Sequence, residues 1–353
     1  MKQIDTQKPV LVTGGSGYIA SWIIKYLLEE GYTVHTTVRD LAKKEKYAHL
    51  QSIANSSQGT LKVFAADLLE KDSFLSAMQG CELIMHTASP FFVLGVKDAE
   101  KQLLQPAKDG TGNVLETAKQ VESVGRVVLT SSCAAIYGDN ADVRSTPNNV
   151  FTEEYWNTSS SASNNPYAYS KTIAEKEAWK IAETQNRWDL LVINPAFVLG
   201  PSLTKRTDST SIKTMLQLAD GTYRFGTPEL WFGVTDVRDV ARAHILAGFT
   251  PEAKGRHIIT SDSVMILDIA SILAEKFGHK YPFPQHRLPY FLLWLFAPLL
   301  GFSQNYIKNN IGVPIHFDNS YTKKDLGLEF RKVSDTVIDH FQQILDDGLL
   351  RRR

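Results

Sequence analysis

Short runs of aliphatic and β-branched residues alternate with amphipathic stretches through the first half of the chain, and this alternation constrains the fold most strongly. The runs are Val10–Thr13, Thr33–Val38, Leu61–Ala65, Leu83–Thr87, Arg126–Thr130 and Leu190–Ile193. Helical periodicity separates them, for example over Ile19–Glu30 and Gly112–Val124. Strands that alternate with helices indicate βαβ units and a parallel sheet covered on both faces. Right-handed crossovers then predict a doubly wound α/β fold of the Rossmann type.

A glycine-rich turn joins the first predicted strand to the first predicted helix. Gly14 lets the chain turn sharply, Gly17 leaves room for backbone amides to approach an anion, and Ala20 keeps helix and strand close. The helix amino terminus adds oriented N–H groups and partial positive charge. We therefore predict a site for a dinucleotide pyrophosphate, against the alternative of a purely structural turn. Its candidate residues are Gly14, Ser16, Gly17, Tyr18 and Ile19.

Arg39, directly after the second predicted strand, indicates which dinucleotide binds. A carboxylate near this position holds the ribose hydroxyls of NAD, whereas an arginine can fork onto the 2′-phosphate of NADP. Lys46 is predicted to add positive charge, while Asp40 keeps NAD open as an alternative. The ends of the later strands complete the predicted cofactor site. They supply Asp67, Leu68, Thr87, Ala88, Ser89 and Thr130.

Tyr167 and Lys171 open a long helical stretch and are four residues apart, so they share one helix face. An ammonium near a phenol lowers the phenol pKa from its usual value of about 10, which allows proton exchange with a substrate oxygen near neutral pH. Tyr169 lacks such a partner. Ser132, with Ser131 as second choice, follows the fifth strand and is positioned to orient a substrate carbonyl. By themselves, the two serines could cap the end of a strand, and a Tyr-x-x-x-Lys pair often occurs by chance. Together, and after a phosphate-binding turn, they predict a Ser-Tyr-Lys site.

The regular alternation weakens after Pro195, where proline and glycine punctuate the chain. We predict that residues 1–195 form the NADP-binding Rossmann domain and that residues 233–250 return to it. Residues 196–353 are predicted to form mainly a smaller substrate-binding lobe. Aromatic residues suggest an apolar substrate pocket, although each also suits a core position. The candidates are Phe91, Tyr137 and Tyr223.

Charge and cysteine content bear on several classes of partner. Lys+Arg and Asp+Glu number 38 each, which gives no basic excess for nucleic-acid binding. The two cysteines, Cys81 and Cys133, form neither a disulfide framework nor a zinc set, so we expect no metal site. A reducing, cytoplasmic setting fits this content best, and the polar start Met1–Pro9 does not resemble a signal peptide.

The longest apolar run, residues 288–302, reads LPYFLLWLFAPLLGF. A spanning helix needs roughly 20 apolar residues, and this run is shorter and contains Pro298. We therefore predict no membrane span. The run is predicted to be a buried or pocket-covering helix, with membrane contact as the alternative.

Several segments resemble the extended short-chain dehydrogenase/reductases, and within them the dihydroflavonol-4-reductase and cinnamoyl-CoA reductase group. They are TGGSGYIA, TVRD, TSS, YAYSK and VTDVRDVARAH, and the resemblance extends to FDNSYTKKDLGL. It implies reduction of an aldehyde or ketone to an alcohol by hydride transfer from NADPH. It also implies Ser132, Tyr167 and Lys171 as the catalytic residues, with the tyrosine as proton donor. Arg39 then selects NADP, and Pro195 and Val198 line the nicotinamide.

Other functions on the same scaffold stay open. Tyr137-Gly138 is closer to the pattern of sugar epimerases, so a nucleotide-sugar epimerase is one alternative and a hydroxysteroid dehydrogenase another. A non-catalytic NADP sensor is a third, but such proteins usually lack the tyrosine–lysine pair that this chain has. We expect a small-molecule carbonyl substrate and a monomer or homodimer.

Overall fold

A seven-stranded parallel sheet forms the centre of the protein in the computed structural model, which describes residues 3–89, 98–207 and 209–350. Its spatial order is β3-β2-β1-β4-β5-β6-β9. The strands are β1 (Val10–Val12), β2 (Thr33–Val38), β3 (Thr60–Ala65), β4 (Leu83–His86), β5 (Arg126–Thr130), β6 (Asp189–Pro195) and β9 (Gly255–Ile259). The reversal of chain order at β1 and β4 creates a crevice at the carboxyl ends of these strands. The predicted Rossmann-type fold is confirmed.

Helices cover both faces of this sheet and build the second lobe. They are α1 (Tyr18–Glu29), α2 (Ala48–Asn55), α3 (Leu75–Met78), α4 (Gln105–Gln120), α5 (Pro166–Ala182), α6 (Thr210–Asp220), α7 (Val237–Phe249), α8 (Ile266–Phe277), α9 (Tyr290–Phe296), α10 (Gln304–Asn310), α11 (Ser320–Leu326) and α12 (Val333–Asp346). Alternate residues of a strand point to opposite faces. In β1, Val10 and Val12 pack on the side of α1 and α7, whereas Leu11 packs on the side of α3, α4 and α5.

A three-stranded sheet organises the second lobe. It consists of β7 (Phe197–Leu199), β8 (Trp231–Asp236) and β10 (Asp262–Met265), in the order β10-β8-β7. Leu199 and Val234 from this sheet share a core with residues of α6, α8 and α12. The amphipathic pattern of α12 accounts for its place here, since Val337, Phe341 and Ile344 recur at helical spacing and are fully buried.

The chain returns to the large sheet twice after Pro195. Helix α7 packs against α1, and the buried guanidinium of Arg126 in β5 donates to the carbonyls of Ala247, Gly248, Thr250 and Pro251 at the end of α7. Strand β9 then pairs with β6 at the sheet edge. Residues 233–236, by contrast, belong to the small sheet. The return therefore begins at α7 and includes β9, a strand that the sequence analysis did not assign.

The apolar segment (residues 288–302) is not buried as a whole, which contradicts one of the two forms predicted for it, a buried helix; the other form, a pocket-covering helix, stays a prediction. Leu293 and Ala297 are buried, but many of its other large side chains are exposed. The buried pair packs against Ile307 and Ile311 of the following segment, which is too small a cluster to cover the remainder. Within the described ranges of the chain, no helix has the length and apolarity to cross a membrane.

Three buried histidines predict acid sensitivity of the fold. Burial lowers the pKa of His86 and of His340 to about 3 and that of His244 to about 4, from an ordinary value of 6.5. The unfolded chain therefore binds more protons below pH 6.5, so stability is full above that pH and falls as the pH falls towards 4. We expect a loss that steepens from about 2 kcal/mol per pH unit at pH 6.5 to nearly 4 kcal/mol per pH unit at pH 5. Urea unfolding at a series of pH values measures it, and a flat profile would contradict it.

Candidate active site

The turn between β1 and α1 has the geometry of an anion cradle. Gly14 has a φ of +70°, and a Cβ there would lie 3.0 Å from the Cα of Ala88. The amide of Gly17 donates to the carbonyl of Gly14 at 2.8 Å, which closes the turn. Helix α1 has no side-chain cap at Gly17 and no acidic residue in its first turn. Its first N–H groups therefore point towards the crevice without a competing carboxylate.

Gly15, which the sequence analysis did not single out, is the most tightly enclosed residue of this turn. A Cβ at Gly15 would lie 2.2 Å from the hydroxyl of Thr36, so only glycine fits between the turn and β2. Ser16, Tyr18 and Ile19 are half-buried around the same turn. The Tyr18 hydroxyl donates to the carbonyl of Gly200, which ties the start of α1 to the loop after β7.

Thr13 organises the end of β4, and its role was also missed. Its hydroxyl oxygen accepts from the amides of Thr87 at 3.1 Å and Ala88 at 3.0 Å, and bonds to the Nδ1 atom of His86 at 2.9 Å. This places Thr87 and Ala88 directly beside the glycine turn. A threonine that precedes two glycines at a strand end was the available signal.

Arg39 lies at the end of β2, exposed at the same edge of the sheet as the glycine turn. Among the described residues, no carboxylate forms an ion pair with it. Asp40 is occupied locally, because its carboxylate accepts from the amide of Ala42 at 2.9 Å and faces the Lys43 ammonium at 3.5 Å. Lys46 is exposed in a short 3₁₀ turn nearby. The Asp40 carboxylate, for which NAD was kept as an alternative cofactor, therefore interacts with residues of its own loop.

Asp67 and Leu68 follow β3 and are half-buried. The Asp67 carboxylate accepts from the amide of Leu69 at 2.9 Å, and the Leu68 carbonyl accepts from the Asn113 side chain at 2.8 Å. Both residues thus line the crevice edge beyond β2, where the predicted adenine end of the cofactor belongs.

Asn165 starts the helix that carries the reactive pair. It has a φ of +54°, its side-chain oxygen accepts from the Ala168 amide at 3.3 Å, and Pro166 supplies the first helical residue. Its side-chain nitrogen also donates to the Gly138 carbonyl at 3.0 Å. This cap fixes the direction in which Tyr167 leaves the helix, one turn before Lys171.

Ser132, Tyr167 and Lys171 come together as the sequence predicted. Tyr167 hydrogen-bonds to the Ser132 hydroxyl, and the Lys171 ammonium lies 6.0 Å from the centre of the Tyr167 ring. The ammonium also donates to the Ser89 hydroxyl at 3.1 Å, which joins this site to the end of β4. Ser132, Tyr167 and Lys171 are half-buried, so a small molecule can reach them.

The pKa values of this pair differ from the sequence expectation. Burial raises the pKa of Tyr167 to about 12, and the hydrogen bond from Ser132 offsets only part of this effect. Burial lowers the pKa of Lys171 to about 8, while the charge of Glu175 opposes that decrease. Lys171 alone therefore does not bring the tyrosine pKa below its usual value, because desolvation of the phenolate is the larger effect.

Glu175 is a fully buried carboxylate one helical turn beyond Lys171. Its oxygens accept from the Arg256 guanidinium at 2.6 Å, from the Asn194 amide at 2.8 Å and from the Ser131 hydroxyl. Ser131 is therefore engaged away from Tyr167, which favours Ser132 as the catalytic serine. The spacing of four residues from Lys171 was a signal for Glu175 that the sequence analysis did not use.

The remaining predicted cofactor residues line the strand ends around this group. The Thr130 hydroxyl bonds to the Nε2 atom of His244 at 2.6 Å. Pro195 ends β6, and Val198 lies half-buried in β7.

The predicted substrate residues are dispersed. The Tyr137 ring stacks on Phe151, with 4.9 Å between ring centres, close to the cap of α5. Tyr223 packs instead against the core of the second lobe. Phe91 lies outside the described residues. Over the described ranges, no three or more His, Cys, Asp or Glu side chains cluster as metal ligands would.

The cradle, the strand ends and the Ser-Tyr-Lys group lie at the carboxyl ends of neighbouring strands of the large sheet, where doubly wound folds bind dinucleotides. A model of the NAD dependent epimerase/dehydratase family matches residues 10–259. The chain belongs to this family. Within this family its relatives are reductases of the kind that the sequence motifs indicated, so the resemblance is confirmed.

A cinnamoyl-CoA reductase of Medicago truncatula is 39% identical and covers 93% of each chain. Tetraketide alpha-pyrone reductase 1 of Arabidopsis thaliana is 33% identical over 97% of this chain and 96% of its own. The solved structure of yeast methylglyoxal/isovaleraldehyde reductase Gre2 complexed with NADPH has a TM-score of 0.75 and 29% identity. It covers 96% of this chain and 99% of its own.

Proposed function

We propose that the protein reduces an aldehyde or ketone to an alcohol with NADPH, with Tyr167 as the proton donor. The observation that carries the proposal is the group of Ser132, Tyr167 and Lys171 at the end of a dinucleotide cradle. The relatives named above as reductases support the reaction class, and the NADPH complex of the yeast neighbour supports the cofactor. NADPH, when bound, supplies the hydride.

The chain's own residues bind the two ends of the cofactor and handle the proton. The amides after Gly14 bind the pyrophosphate, and Arg39 binds the 2′-phosphate. The Ser132 hydroxyl donates to the substrate oxygen and fixes its position while negative charge develops there. The Tyr167 hydroxyl then gives its proton to that oxygen. A tyrosine with a raised pKa is fully protonated at neutral pH, which suits a proton donor.

Lys171 has two tasks in this mechanism. Its ammonium holds the ribose next to the nicotinamide, and its charge stabilises the phenolate left on Tyr167 after proton transfer. The contact with Ser89 keeps the ammonium at the crevice wall between these two positions.

A substrate panel tests the proposed function directly. Purified protein should oxidise NADPH, followed by loss of its absorbance, in the presence of bulky, weakly polar aldehydes or ketones. Nucleotide sugars serve as the opposing set and are followed by chromatography of their products, because an epimerase acts on them without net cofactor consumption. Turnover of nucleotide sugars alone would favour the epimerase, and cofactor binding without turnover of any compound would favour the sensor.

Glu175 is expected to act as a positioning residue that keeps Lys171 charged. Of the titratable groups that face this lysine, Tyr167 and His86 are neutral because burial raises the pKa of the first and lowers that of the second. The charges that remain are Glu175 on the same helix and its partner Arg256 from β9. Glu175→Gln removes the negative charge and lowers the Lys171 pKa further. The alkaline limb of the kcat/KM profile for reduction should move down by roughly 1 pH unit or more.

Ser131→Ala is the matched control for this variant. It removes one hydrogen bond to Glu175 but leaves the carboxylate charge, so the alkaline limb should stay where it is in the unmodified protein. In Glu175→Gln the buried Arg256 loses its charged partner. Thermal unfolding and NADPH titration of each variant show whether this loss disrupts the fold. Lower kcat in Glu175→Gln with an unmoved alkaline limb would mean that the carboxylate serves the fold alone.

A further inference from the structure

Seven of the ten exposed large hydrophobic residues in the described part of the chain lie in the apolar segment (residues 288–302), which the proposed function does not use. Leu299 is 83% exposed, Phe291 66% and Leu295 58%. Four aromatic residues of the same segment are each nearly half exposed, namely Tyr290, Trp294, Phe296 and Phe302. Single exposed apolar side chains are ordinary on protein surfaces, but a contiguous group of this kind marks an interaction site.

The exposed side chains of α9 point in more directions than the surface of one protein partner could cover. At 100° per residue, the exposed positions of α9 from Tyr290 to Phe296 extend over more than half of the helix circumference. A helix that packs on a protein surface presents an apolar stripe of about 100°. A fluid apolar layer, by contrast, covers a protruding helix on all sides. Tryptophan and tyrosine suit its boundary because they combine an apolar ring with a polar group.

Charge in the part of the sequence that flanks the segment indicates the kind of layer. Residues 276–317 contain no aspartate or glutamate, although the chain has 38 acidic residues. The same stretch contains four exposed cations, Lys276, Lys280, Arg287 and Lys308. Lys308 lines a groove of about 390 Å³ together with Tyr290, Phe291 and Trp294, so a cation borders the aromatic surface. Arg287 also pairs with Glu229 at 3.1 Å, at half-exposed positions.

The apolar and charged features together indicate a lipid surface as the partner of the segment. We propose that the apolar segment docks the protein on the surface of an anionic phospholipid membrane, with the aromatic side chains in the headgroup region and the flanking cations on the lipid phosphates. Apolar burial and attraction to anionic headgroups add in such binding. A second copy of the chain suits the surface less well, because a two-fold interface places each patch against itself and brings the cations together.

Vesicle sedimentation of the full chain tests this proposal. The protein should pellet with phosphatidylcholine vesicles that contain phosphatidylserine, and much less with pure phosphatidylcholine. Added salt should release it, since screening weakens attraction between exposed charges. Leu299→Asp should weaken the vesicle affinity by at least about tenfold. It removes a large apolar side chain from the layer and adds to the protein a negative charge that the anionic lipid repels. Lys308→Glu should also weaken it.

Leu69→Asp is the matched control, since Leu69 is 59% exposed and follows β3, outside the segment. It should sediment like the unmodified protein, and all three variants should retain the unmodified thermal midpoint. The proposal fails if no binding occurs, if binding ignores phosphatidylserine, or if Leu69→Asp and Leu299→Asp lose binding equally. A concentration-dependent dimer in light scattering that Leu299→Asp abolishes would assign the surface to a second copy instead.

Discussion

Tyr167→Phe is expected to lower kcat for carbonyl reduction by roughly 10²–10⁴-fold, the usual contribution of a positioned general acid. The change removes the hydroxyl that hydrogen-bonds to Ser132 and leaves the ring, so the packing at the start of α5 should persist. The cofactor contacts proposed for the glycine turn and Arg39 do not involve this hydroxyl. The NADPH dissociation constant should therefore change little. Steady-state kinetics and a fluorescence titration with NADPH measure the two quantities.

Tyr169→Phe is the control for this result, because Tyr169 lies two residues further along the same helix and lacks a lysine four residues on. It should turn over at close to the unmodified rate. Lys171→Met provides the second comparison: it should raise the NADPH dissociation constant and lower kcat together, since the lysine serves both tasks. Turnover near the unmodified rate in Tyr167→Phe, or a large loss in Tyr169→Phe alone, would overturn the assignment of the proton donor.

Arg39→Ala is expected to weaken NADPH binding by roughly 10- to 100-fold and to leave NADH binding nearly unchanged. A forked, charge-assisted contact to the 2′-phosphate contributes about 1.5–3 kcal/mol, and NADH has no phosphate at that position. Arg39 has no ion-pair partner among the described residues, so the phosphate gains the whole guanidinium. Isothermal titration of both cofactors with the unmodified protein and the variant gives the ratio.

Lys46→Ala is the comparison for this measurement. Lys46 is exposed on a short turn near Arg39, and its loss should weaken NADPH binding less, because a single flexible ammonium lacks the planar fork. Equal affinity of the unmodified protein for NADPH and NADH would contradict the role of Arg39. In that case Asp40, which now pairs with Lys43, would have to turn towards the ribose.

The tertiary structure adds a charged network that no short motif contains. Glu175 is near Lys171 through helical spacing, but its ion pair is made with Arg256, 81 residues later in the chain. Asn194 and Ser131 complete its partners from two other strand ends. A buried carboxylate without these donors would be expensive, since burial favours its neutral form. The sequence motif thus identifies the lysine, and the fold supplies the group that supports its charge.

The same distinction holds for the substrate side. Tyr137 and Tyr223 looked equivalent in the sequence as aromatic residues near the predicted pocket. The structure stacks Tyr137 on Phe151 beside the cap of α5 and packs Tyr223 into the core of the second lobe. The apolar segment was expected to be a buried or pocket-covering helix because of its hydrophobicity and its length. Much of it is exposed because the apolar cluster that Leu293 and Ala297 form with Ile307 and Ile311 is too small to cover the other large side chains.

The sequence by itself determined what depends on local spacing. The strand and helix periods specified the parallel sheet, the glycine turn specified the cradle, and the four-residue interval placed Tyr167 and Lys171 on one helix face, because each follows from backbone geometry within a few residues. Only the tertiary structure decided the return of β9 to the sheet, the pKa values of the reactive pair and the exposure of residues 288–302. Each of these depends on which distant residues pack around a group, and hence on how far water is excluded from it.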